Sequence, residues 1–109
     1  MSKIVFIPLD ERPCNYIYPD YIGRMSGLEL SMPPKEILGD FKKEADVEAV
    51  WEWTKGQLKG ASHLVVSMDM LLYGGIVPSR LHHLPDAVCA KRLERLKEIK
   101  KLEPGIQIY

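Results

Sequence analysis

The sequence predicts an α/β domain built on a mostly parallel, doubly wound sheet. Short apolar runs alternate with helical patterns along the whole chain, giving the order β-α-β-α-β-α-β. Two runs, Ile4-Val5-Phe6-Ile7 and Leu64-Val65-Val66-Ser67-Met68, are continuous and rich in β-branched residues, as in strands buried on both faces. Two others, Leu28-Glu29-Leu30-Ser31-Met32 and Ile106-Gln107-Ile108-Tyr109, alternate apolar with polar, as in strands with one wetter face. Buried strands belong at the centre and half-wet ones at the flanks. With right-handed crossovers this gives the spatial order 2-1-3-4, whereas a barrel fragment would run 1-2-3-4. In the first arrangement the switch point lies between strands 1 and 3, and ligands bind there at the carboxyl edge.

Each helix has its own signals. After the first strand, Tyr18, Tyr21, Ile22 and Met25 share one helical face; Pro19 is tolerable in a first turn and Gly27 suits a C-terminal stop. The second helix opens on Asp46, a good N-cap, and carries Val47, Val50, Trp51, Thr54 and Leu58 on one side before Gly60. Trp51 belongs to the core on this pattern and Trp53 to a partly exposed position. The third starts near Pro85-Asp86 and aligns Cys89, Leu93, Leu96 and Leu102 broadly along one face. Lys97, Lys100 and Lys101 suit its C-terminal dipole, and Pro104-Gly105 stops it.

Composition removes several functional classes. The 109 residues are 46% hydrophobic, enough for one small core, and the 15 basic and 15 acidic side chains balance. Zero formal charge gives no electrostatic reason for nucleic acid or an anionic membrane as main partner. No apolar run approaches the ~18 residues of a membrane span, and the N-terminus lacks a signal-peptide pattern. Two cysteines, Cys14 and Cys89, are too few for a disulfide scaffold, so a cytoplasmic setting is expected. Cys14 is expected to be a buried, inert thiol. The chain stops inside its fourth strand, as expected of a short edge strand or of the front part of a longer protein.

Functional groups gather in the three loops that follow strands. The first, Asp10-Glu11-Arg12-Pro13-Cys14-Asn15, sets two carboxylates and a guanidinium after the buried first strand. Asp10 suits an acid or base, or a metal or hydroxyl ligand; Arg12 suits bidentate capture of a carboxylate or phosphate. The plainer reading has Asp10 and Asn15 capping turns and Arg12 paired with a neighbouring acid. The second loop, from Pro33-Pro34-Lys35 to Ala45, is long for such a connection, and Lys35 offers a positive charge or simply a solvated side chain.

The third loop runs from Ser67 to His83. Asp69 ends the third strand as Asp10 ends the first, and adjacent strands lie ~4.8 Å apart. The two carboxylates would then share a cleft, suiting a shared metal, a proton-transfer pair or hydrogen bonds to a polyol. Gly74-Gly75 permits close backbone approach or positive φ, but matches no phosphate-binding fingerprint. Tyr73 suits stacking on a sugar ring, and Arg80 adds a second guanidinium. His82 and His83, being adjacent, cannot point the same way from a regular element, which argues against a two-histidine metal site. One of them suits a general acid or base, since imidazole exchanges protons near neutrality; the alternative is a surface position.

These blocks carry a resemblance. Ile7-Pro8-Leu9-Asp10-Glu11-Arg12-Pro13-Cys14-Asn15, Pro33-Pro34-Lys35-Glu36-Ile37-Leu38-Gly39-Asp40, and Ser67 to Gly75 with Pro78-Ser79-Arg80-Leu81-His82-His83 resemble the three ordered blocks of the bacterial domain-of-unknown-function 4127 family. Members of that family are several-fold longer, so the resemblance implies an N-terminal fragment. It brings no activity, cofactor or catalytic residue with it.

The functional expectation is a cytoplasmic bacterial enzyme acting on a small polar metabolite, sugar-like or anionic, by hydrolase or lyase chemistry. Asp10, Asp69 and His82 or His83 would move protons or hold a metal. Glu11, Arg12, Lys35, Tyr73, Gly74, Gly75 and Arg80 would bind the substrate. Two alternatives stand beside it. One is a non-catalytic ligand-binding or regulatory domain. In the other these loops meet the remainder of a longer chain, or the terminal edge strand self-associates.

Overall fold

In the computed structural model, which describes residues 3–40, 43–81 and 83–109, the expected sheet forms. The strands β1 (Lys3–Ile7), β2 (Glu29–Ser31), β3 (Ala61–Val66) and β4 (Gln107–Ile108) pair in the order β2-β1-β3-β4, all parallel. The register sets Val5 opposite Leu64 and Ile7 opposite Val66. Val5, Ile7 and Leu64 are fully buried, whereas Ile4 and Phe6 on the other side of β1 are half-covered. The central strand thus has one sealed face rather than two.

Helices pack around this sheet. They are α1 (Ile17–Met25), α2 (Val47–Gln57), α3 (Met68–Tyr73), α4 (Ile76–Leu81), α5 (Asp86–Leu93) and α6 (Arg95–Leu102), with a 3-10 turn at Lys35–Ile37. The core joins Val5, Ile7 and Leu64 to Val50 and Trp51 of α2, Met70 of α3, Ile99 of α6, and Ile106. Asp46 caps α2 by accepting a hydrogen bond from the Ala49 amide at 3.0 Å, as its residue type predicts. Trp51 is in the core and Trp53 is half-buried, also as expected.

Four local expectations are corrected. The shared face of Tyr18, Tyr21, Ile22 and Met25 points to solvent, with Met25 86% exposed. Gly23, on the opposite side of α1, makes the contact instead. A Cβ there would come within 2.7 Å of the Leu30 side chain, so the bare position lets the helix lie against β2 without displacing that leucine. Second, the segment from Ser67 to His83 is largely helical, because Met70 and Leu71 fall on a buried face of α3. Third, the last helix is divided at Glu94 into α5 and α6, and Leu93 and Leu102 are about half exposed. Its buried positions are Arg95 and Ile99. Cys14 is exposed rather than buried, since the first loop turns outward before α1. Among the described residues no helix is long and apolar enough to cross a membrane.

Candidate functional site

The residues expected to form one site are divided between two places. In the first loop Asp10 is 6% exposed and accepts three hydrogen bonds. The Arg12 amide reaches Oδ1 at 3.1 Å, the Arg12 Nε reaches Oδ2 at 2.8 Å, and the Asn15 Nδ2 reaches Oδ1 at 2.8 Å. The bond to the amide two residues ahead is an Asx turn, so the carboxylate shapes the loop that leads into α1. Arg12 remains exposed, and Glu11 is half-buried beside it in sequence. Lys35, exposed in the 3-10 turn, holds its ammonium 5.7 Å from the Tyr16 ring centre. The Tyr16 hydroxyl donates to the Pro33 carbonyl at 2.7 Å, joining the first two loops. Burial, reinforced by the charges of Glu36 and Asp20, raises the Tyr16 phenol above the ordinary tyrosine value.

The second place is a cavity of about 430 Å³ between the start of α2, the end of α3 and α5. Glu44, Asp46 and Glu48 contribute carboxylates, and Tyr73, His83 and Arg92 contribute groups that donate or exchange protons. Val47, Pro78 and Leu84 supply apolar wall. Of the predicted site residues, Tyr73 and His83 line this space. Asp10, Glu11, Arg12, Lys35, Asp69 and Arg80 do not. Arg80 is exposed near the end of α4, and His82 lies outside the described residues.

Gly74 and Gly75 position the cavity without lining it. Gly74 ends α3 in the left-handed conformation, φ 86°, and its carbonyl accepts from the Ala45 amide at 3.0 Å. A Cβ on Gly74 would stand 2.8 Å from that amide nitrogen; one on Gly75 would stand 3.9 Å from the Leu9 carbonyl oxygen. Gly74 therefore lets the turn after α3 sit tightly against the backbone of the second loop, whereas a Cβ on Gly75 would make only ordinary contact with the first. Both glycines adopt the positive φ that their residue type permits, 86° at Gly74 and 138° at Gly75.

Charges around the cavity are largely committed. Arg95 donates from Nη2 to both Glu48 carboxylate oxygens at 2.6 Å, while its guanidinium lies 5.3 Å from the Trp51 ring centre. The hydrogen bond from Arg95 holds the Glu48 carboxyl below the usual glutamate value against a smaller opposing effect of burial. Arg92 donates from Nη1 to the Leu72 carbonyl, and its Nε is buried with no partner among the described residues. Tyr73 shares a hydrogen bond with Cys89. The Cys89 thiolate, then burial, that bond, and the charges of Asp69 and Asp86 raise the Tyr73 phenol above its ordinary value. Asp69 and Tyr73 are four apart on α3 and so share a face, and the Asp69 charge reaches the Tyr73 phenol. Among the described residues no group of three or more His, Cys, Asp and Glu side chains is placed to hold a metal.

Sequence reasoning missed Glu44, Glu48, Arg92 and Arg95. A signal for the arginines was present: Arg92 is three residues after Cys89, and Arg95 is four before the buried Ile99, so both follow the packed stripe. Arginine on such a stripe buries its stem and must find acceptors.

No curated protein and no solved structure matches the chain significantly. A family model does match, over residues 4–109, and it contains all three of the loops described above. By that match the chain belongs to the family described as protein of unknown function (DUF4127).

Proposed function

We propose that this chain provides a small-molecule site for an uncharged, hydroxyl-rich metabolite, in a cytoplasmic bacterial enzyme of hydrolase or lyase type. The observation that carries the reading is the cavity of about 430 Å³, within the ~300–1,000 Å³ typical of ligand pockets. Its wall combines three carboxylates as acceptors with Tyr73, His83 and Arg92 as donors, a pairing suited to sugar hydroxyls. Of the two substrate classes expected from sequence, this wall favours the sugar-like one. With Glu48 neutralised by Arg95, the carboxylates of Glu44 and Asp46 still outnumber the Arg92 guanidinium, which disfavours an anion inside the cavity.

His83 gives this wall an imidazole, the side chain most often used as a general acid or base. The paired-acid reading is weaker, because Asp10 is spent on its own loop and neither Asp10 nor Asp69 lines the cavity. The test is calorimetry of the 109-residue chain with neutral sugars and polyols and with their sugar-acid counterparts, followed by product analysis. Saturable binding of neutral members is expected, weakened about fivefold in Tyr73→Phe, the loss of roughly one hydrogen bond. Turnover lost in His83→Ala with binding retained would support the enzyme. Binding without turnover would favour the regulatory alternative. Absence of binding, or binding indifferent to both substitutions, refutes the site.

A further inference from the structure

The first loop holds an arrangement that the cavity does not use. Asp10 is almost fully buried, yet it spends both oxygens on the residues just after it and fixes the Arg12 side chain through Nε. A guanidinium held by Nε presents its two Nη groups as a second, planar fork. Among the described residues those Nη groups have no partner, and the Arg12 side chain is 45% exposed. The hold is firm because the same carboxylate also takes the Arg12 amide and the Asn15 side chain, so backbone and guanidinium are fixed together.

A second cation is brought to the same loop. The Lys35 ammonium lies over the ring of Tyr16, and the Tyr16 amide donates to the Arg12 carbonyl at 2.9 Å. The Tyr16–Pro33 hydrogen bond ties the segment carrying Lys35 to the segment carrying Arg12. Of the two acids whose charges reach Tyr16, Asp20 is occupied by Arg24 at 3.0 Å, and Glu36 stands exposed in the 3-10 turn beside Lys35.

We infer that the Arg12 fork, set by the buried Asp10 and assisted by Lys35, is a binding site for a small oxyanion, either a phosphate or a carboxylate. Two in-plane N–H groups match two oxygens of such a group, and the ammonium adds an undirected charge. Asp10 is a positioning residue here: it touches the arginine and leaves the ligand side open. This site stands apart from the cavity and takes ligands of opposite character, so either can exist without the other.

The experiment follows thermal unfolding of the wild-type chain, Arg12→Gln, Arg12→Lys, Lys35→Ala and Asp10→Asn in inorganic phosphate, in succinate, and in chloride at matched ionic strength. A ligand that binds only the folded state raises Tm in a saturable way. For wild type, phosphate or succinate is expected to do so beyond chloride, and the arm that responds identifies the anion class. The apparent affinity should fall about tenfold in Arg12→Gln, the loss of one charged fork. It should fall several-fold in Arg12→Lys, which keeps charge without the fork, and in Lys35→Ala. Asp10→Asn should weaken anion binding although the substituted group never meets the anion. The inference is overturned if neither anion exceeds chloride, or if wild type and both Arg12 variants respond alike. Arg12 would then serve only as a structural partner of Asp10. The neutral-sugar titration is unaffected by either result.

Discussion

Replacing Gly74 by alanine tests how the cavity is assembled. The perturbation has two separable parts. At φ 86° any residue with a Cβ bears the left-handed penalty of about 1–2 kcal/mol. The new methyl would also stand 2.8 Å from the Ala45 nitrogen and 3.1 Å from its oxygen, both backbone atoms that cannot swing aside. Separation of the two segments breaks the bond from the Ala45 amide to the Gly74 carbonyl, worth about 1 kcal/mol. The sum is about 2–3 kcal/mol. Gly60 supplies the control, because it has φ 79° but no atom within 4 Å of the point where a Cβ would stand. Gly60→Ala should therefore show the conformational part alone. Equilibrium urea unfolding followed by circular dichroism should place Gly74→Ala below Gly60→Ala by roughly 1 kcal/mol, a midpoint difference of about 0.5–1 M. Equal destabilisation within about 0.3 kcal/mol would refute the claim that the turn is wedged against Ala45.

Other outcomes follow from the core and from the two shifted groups. Leu64→Ala, at a fully buried position on the central pair of strands, should cost about 2–5 kcal/mol in the same assay. Because Arg95 lowers the Glu48 carboxyl in the folded state, its contribution to stability is present above the ordinary glutamate value of ~4.3 and is lost as pH falls through the lowered folded value. The stability gap between wild type and Glu48→Gln should therefore shrink on acidification; a gap independent of pH would refute the pairing. The Tyr73 phenol, raised chiefly by the neighbouring Cys89 thiolate, should titrate at lower pH in Cys89→Ser. Phenolate absorbance referenced to Tyr73→Phe measures it, and an unmoved curve would exclude that contact.

The sheet was legible because strand burial leaves a period in the sequence. Val5, Ile7 and Leu64 sit inside continuous apolar runs, and those runs marked the central strands whose adjacency fixes the switch point. The direction of the first helix was not legible. Periodicity places Tyr18, Tyr21, Ile22 and Met25 on one face, but it cannot say that a bare Gly23 will bring the other face to Leu30. The loop residues were correctly located at the carboxyl edge, since they follow strands. Their division was hidden: whether Asp10 faces a cleft or its own loop depends on where the Arg12 and Asn15 side chains swing. The cavity wall also draws on Arg92, whose charge conceals its place on the packed side of the last helix.

The parallel pairing of β1 with β3 has a consequence for how the chain is made. Lys3 pairs with Ala61 and Ile7 with Val66, so the first strand emerges long before its main partner is synthesised. Until then β2 is the one strand that can pair with it, through three residues. The run Ile4-Val5-Phe6-Ile7 stays available to any other unpaired strand during that interval, and non-local parallel pairing is intrinsically slow to form. Synthesis rate and chaperone supply should therefore govern the soluble yield of this chain more strongly than its final stability does.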